Sequence, residues 1–67
     1  MSSRVYGELD VKPTRFNGLG YAKIKAGVWQ FVCLFDRPAQ TGPHYASATE
    51  LLADADRFAS AMGYRLP

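Results

Sequence analysis

Cysteine and histidine are nearly missing from this chain, with one of each in 67 residues. A single cysteine excludes an internal disulfide, and one cysteine, one histidine and scattered acids do not supply zinc ligands at the usual spacings. No metal and no cofactor are therefore expected. Long hydrophobic runs are missing too. No stretch approaches the roughly 18 apolar residues of a membrane helix, and the opening MSSRVYGELD lacks the apolar segment of a signal peptide. The expectation is a cytoplasmic protein with no membrane partner. Charge of one sign is also scarce: eight Lys and Arg against six Asp and Glu leave a net +2, which by itself does not announce a nucleic-acid binder. Finally, length is short. A chain of this size forms one domain, residues 1–67, and buries only roughly 60% of the surface its unfolded form exposes. With no covalent or metal staple, it must rely on an economical core or a partner subunit.

What is present divides near residue 47. Before it, aromatic and β-branched residues alternate with polar ones; after it, alanine, leucine and acids dominate. Residues 4–11 place Val5, Leu9 and Val11 on one face and Tyr6, Glu8 and Asp10 on the other, the alternation of a half-buried strand. Residues 12–20 hold Pro13, Asn17, Gly18 and Gly20, which suit a loop. Tyr21–Lys25 alternates again, and the nearly continuous apolar run Val28–Phe35 reads as a central strand. Between them Ala26-Gly27 suits a two-residue hairpin turn. That turn pairs Lys25 with Val28, Ile24 with Trp29, Lys23 with Gln30, Ala22 with Phe31 and Tyr21 with Val32.

Residues 36–44, DRPAQTGPH, read as a second loop, with Tyr45 and Ala46 as a short extended addition. Ser47-Ala48-Thr49-Glu50 then fits a helix-capping box. Leu51, Leu52, Ala55, Phe58, Ala59 and Met62 follow at three- and four-residue spacing, and Gly63 suits a helix end. The predicted fold is α+β: a three-stranded antiparallel meander with one C-terminal helix packed on one face, in the order β-β-β-α. Its core is expected to join Val5, Leu9, Val11, Ile24, Trp29, Phe31, Cys33 and Phe35 to the helical stripe.

Chemistry-bearing groups are few. His44 sits in a Pro/Gly-rich segment with no nucleophile or carboxylate pattern around it. Cys33 lies between Val32 and Leu34, the setting of an inert core thiol rather than an activated one. Asp54 and Asp56, two apart on a helix, do not converge. Gly18-Leu19-Gly20 precedes a strand, whereas a phosphate-binding glycine loop opens a helix. The expectation is a protein that is not an enzyme.

The outer sheet face carries more information. In the predicted register it presents Tyr21, Lys23, Lys25, Val28, Gln30 and Val32, with Tyr6 from the first strand and Arg37 nearby. One helix cannot cover both faces, so Val28, Val32 and Leu34 are expected to face water, an apolar patch of the kind that marks interaction sites. The first expectation is a protein-interaction module, a phage- or plasmid-type accessory or inhibitor protein, working through this face, by strand addition at a sheet edge, or by self-association into a homodimer. The alternative is a nucleic-acid binder using the same lysines and tyrosines.

From Gly27 to Gly63, Trp29 on a hairpin strand, Asp36-Arg37-Pro38, Gly42 and the helix start Thr49-Glu50 follow one another. This succession resembles the integrase arm-binding type of small DNA-binding domain. The resemblance implies the sheet-then-helix topology. Most of that family's DNA-reading arginines have no counterpart in this hairpin, so no base-contacting residue is carried over.

Overall fold

The computed structural model describes residues 10–35 and 38–67. Residues 4–9 of the predicted first strand, including Tyr6, and residue Arg37 lie outside them, whereas Asp10 and Val11 are described and precede the first strand. The architecture is α+β, with an antiparallel sheet followed by helices. Among the described residues the sheet has four strands, β1 (Lys12–Pro13), β2 (Leu19–Lys25), β3 (Val28–Cys33) and β4 (Ala39–Tyr45), joined in chain order. Two helices follow, α1 (Ala48–Ala53) and α2 (Ala55–Met62).

Strand β4 corrects the expectation of a loop over 36–44. Gly42 and Pro43 have turn chemistry, but here they form an irregularity inside a strand. Pairing runs Trp29↔Tyr45 and Gln30↔His44, then resumes at Phe31↔Thr41, Val32↔Gln40 and Cys33↔Ala39. Proline is tolerated because β4 is an edge strand, where a missing N–H need not cost a ladder bond. The buried Gln30 side chain satisfies the displaced backbone, its Nε2 donating to the Gly42 carbonyl at 2.9 Å.

The β2–β3 hairpin turns at Ala26-Gly27 and pairs Lys25 with Val28, as predicted. Beyond that point the register differs: Lys23 pairs with Trp29, Ala22 with Gln30, Tyr21 with Phe31 and Gly20 with Val32. Ile24 is the extra residue of a bulge, which shifts β2 by one place and exchanges the faces of its side chains. Leu19, Tyr21 and Lys23 therefore share the helix-facing side with Phe31 and Trp29. Ala22 lies with Gln30 and Val32 on the other side.

Both sides are buried. On the helix side Leu19, Phe31, Leu51, Ala55, Phe58 and Ala59 form the core cluster. The Phe31 and Phe58 rings stack at 4.3 Å with 5° between planes, and Tyr45 meets Phe31 edge-on at 5.6 Å. Gly42 makes this stack possible: its φ is +83°, and a Cβ there would lie 2.5 Å from Phe58 Cε1. On the far side Ala22 and Val32 have no exposed surface. Val11 and Leu34 close on Gly20 there, each 3.2 Å from where a Cβ would stand. The expectation that Val32 faces water is thereby overturned.

The single predicted helix is broken at Asp54. Ser47 caps α1, its Oγ accepting from the Glu50 N–H at 3.1 Å. At Asp54 the backbone turns to φ −99°, ψ 0°, and its N–H reaches Leu51 O, only three residues back, at 3.1 Å. Aspartate favours such local alternatives to a helix interior, and here its carboxylate has partners: Tyr45 donates to Oδ2 at 2.6 Å, and Arg57 Nε lies 3.3 Å from Oδ1. Across this break Leu51, Ala55, Phe58 and Ala59 stay in the core, whereas Leu52 and Met62, predicted to be core, are 45% and 55% exposed. Phe35, another predicted core residue, is 54% exposed and stacks on Tyr64 at 6.0 Å. Ile24, Trp29 and Cys33 are half-buried.

Candidate interaction surfaces

The bulge at Ile24 decides where the predicted surface residues go. Tyr21 is half-buried on the helix-facing side, packed against the core and 6.1 Å from the Trp29 ring. Lys23 is exposed on that same side, opposite Trp29. Lys25, Val28, Gln30 and Val32 belong to the other side, where Gln30 and Val32 are buried. The described members of the predicted surface thus fall on two faces, and its apolar centre is interior.

Two other surfaces emerge. The first is the β4 edge. Among the described residues nothing pairs with its outer side, and Ala39, Gln40, Gly42, Pro43 and His44 are exposed along it. Its first three residues keep regular register with β3, so their outward N–H and C=O groups form a short unpaired row. His44, expected in a loop, stands exposed on this strand.

The second is a cleft. The first helix packs on β3 and β4 and Leu19 of β2 is buried against the helices, but toward β1 the sheet and the helices part around a cleft. There Pro13, Thr14, Arg15 and Tyr21 face Leu52, Ala55 and Asp56 across an open cleft of about 430 Å³. The loop wall is held firmly: the Thr14 hydroxyl donates to Leu19 O at 2.7 Å and accepts from the Phe16 N–H at 3.1 Å, and the Asn17 N–H donates to Arg65 O at 2.8 Å. Arg15 forms an ion pair with Asp56 across the cleft, and its guanidinium lies 5.2 Å from the Phe16 ring centre. Lys12, the cross-strand partner of Tyr21, bonds Asp10 at 2.7 Å. That hydrogen bond and the carboxylate charge raise the Lys12 pKa above its usual value.

Two tyrosines have altered acidity for structural reasons. Burial, then the hydrogen bond to Asp54 and its charge, push Tyr45 up to about 12. Burial and the neighbouring Cys33 thiol do the same for Tyr64, to about 12. Among the described residues no three His, Cys, Asp or Glu side chains gather where a metal ion could be held, and no helix is long and apolar enough to cross a membrane. No protein-family model, curated protein or solved structure matches the chain.

Proposed function

We propose that the protein is a non-enzymatic interaction module that engages a protein partner by strand addition at the β4 edge. The observation that carries this reading is the open edge itself. The regular segment Ala39–Thr41 has no strand on its outer side among the described residues, and such a row of backbone groups is a template for an added strand. The adjoining Gly42-Pro43 irregularity limits the row to a few residues, which favours a short extended segment over indiscriminate edge-to-edge pairing. Main-chain hydrogen bonds would supply attachment, and the exposed Gln40 and His44 side chains would contribute selectivity on the face away from the helices. This reading replaces the outer-face patch as the route to a partner, because Val32 is interior. An accessory or inhibitor role fits such a module.

The test is affinity capture from the native cell, followed by amide hydrogen exchange on the purified complex. Slowed exchange within residues 39–41 is expected. Neighbouring N–H groups on a strand point to opposite edges, so one of Ala39→Pro and Gln40→Pro removes an outward donor and leaves the β3 ladder intact. That variant should fold and lose the partner. Protection elsewhere with β4 unchanged would refute strand addition, and sedimentation of the free protein separates a foreign partner from a second copy.

A further inference from the structure

We infer that the cleft between the β1–β2 loop and the helices is a binding site for single-stranded nucleic acid, with one base seated against Tyr21 and the flanking phosphates met by Lys23, Arg15 and Lys12. The inference rests on features separate from the β4 edge.

Shape comes first. A concave space of about 430 Å³ lies within the range of small-ligand sites, roughly 300–1,000 Å³, which is room for a nucleoside. Its lining comes next. Tyr21 offers an aromatic surface and Leu52 an apolar wall, and both keep accessible area: Tyr21 is half-buried, packed in part against the core, and Leu52 is 45% exposed. A flat base entering the cleft would meet both of these linings and lose water to them. Base stacking on an aromatic side chain tolerates any sequence.

Charge gives the polarity of the ligand. Lys12 is the cross-strand neighbour of Tyr21, Lys23 lies two residues beyond it on the same side, and Arg15 lines the cleft. Two acids oppose these three cations, Asp10 beside Lys12 and Asp56 beside Arg15. Both ion pairs are solvent-exposed and therefore weak, so their cations can exchange a carboxylate for a phosphate oxygen. Lys23 has no ion-pair partner among the described residues and is available from the start. The cationic excess lies on the cleft side of the sheet, the side that the bulge at Ile24 gives to Lys23 and denies to Lys25.

The experiment is fluorescence anisotropy with a labelled oligothymidylate of about twelve nucleotides, titrated at several salt concentrations, with Trp29 emission followed in parallel. Binding at low salt is expected to weaken as salt rises, with a log–log slope of about −2 for three phosphate contacts at roughly 0.7 each. Lys23→Glu should weaken binding about tenfold or more and flatten the slope by about one. Lys25→Glu, equal in charge change but on the opposite face, should cost less than about threefold through the general field. Leu52→Asp changes an exposed side chain, should fold as judged by circular dichroism, and should weaken binding as Lys23→Glu does. Absence of salt-sensitive binding by the unaltered protein overturns the inference. So does an equal loss for Lys23→Glu and Lys25→Glu, or full affinity in folded Leu52→Asp.

Discussion

Replacing Gly42 by alanine tests the packing that joins sheet to helix. Two costs are separable at this position. The backbone has φ +83°, a left-handed conformation that costs an L-residue about 1–2 kcal/mol. The new methyl would also lie 2.5 Å and 2.8 Å from Phe58 Cε1 and Cζ, well inside contact distance, so the ring must leave its stack on Phe31. Forced repacking of this kind costs about 1–3 kcal/mol. The sum, about 2–5 kcal/mol, is large against the roughly 3–10 kcal/mol that about 0.05–0.15 kcal/mol per residue gives a chain of this size. Gly27→Ala is the internal control: φ is +73° and nothing lies within 4 Å of the added Cβ, so only the backbone cost applies. Thermal and urea unfolding followed by circular dichroism should show Gly42→Ala losing about 1–3 kcal/mol more than Gly27→Ala, a further fall in Tm of about 4–8 °C per kcal/mol. In a Phe58→Leu background, which removes the far part of the ring, the excess should shrink toward zero. Equal destabilisation by Gly42→Ala and Gly27→Ala would refute the claim that the Phe58 ring depends on glycine.

Alkaline stability follows from Tyr45 and Tyr64. Both have folded pKa values of about 12 against about 10 unfolded, so between those values the folded state holds more protons and stability falls as pH rises. Unfolding should set in above about pH 10, with tyrosinate absorbance and circular dichroism changing together; Tyr45→Phe should lower stability at neutral pH by about 1.5–3 kcal/mol through loss of the Asp54 hydrogen bond and weaken the alkaline dependence. Val32→Glu should abolish cooperative unfolding, because it places an unpaired charge where no surface is exposed at a cost above about 3 kcal/mol. A folded Val32→Glu protein would show that this strand face meets solvent.

The legible parts of the fold are those determined by neighbours in sequence. Ala26-Gly27 sets the hairpin turn, Ser47 the helix start, and the spacing of Leu51, Ala55, Phe58 and Ala59 the buried stripe. The illegible parts depend on partners far along the chain. Asp54 breaks the helix where its carboxylate takes the Tyr45 hydroxyl, which turns Leu52 outward beside the cleft. Strand β4 has little strand character of its own and is drawn out by pairing with β3. The bulge at Ile24 is illegible because a pattern that buries one sheet face selects the unbulged register, whereas Ala22 and Val32 are buried on the other face. The candidate surface inherited that error: Lys23 and Lys25 read as exposed, but the side each occupies follows from the bulge.

The sheet order has a kinetic consequence. Each strand pairs with its neighbour in the chain, so every ladder closes a short loop and pays little chain entropy before contacts form. Ladders between sequence neighbours lower the contact order, which favours faster folding. The β2–β3 hairpin can form first and template β4, and helix docking then completes the aromatic stack. The Asn17–Arg65 hydrogen bond, which joins a loop near one end of the described chain to the segment after α2, belongs to the last stage. None of these steps covers the outer side of β4, so among the described residues that edge is still open when the domain is complete.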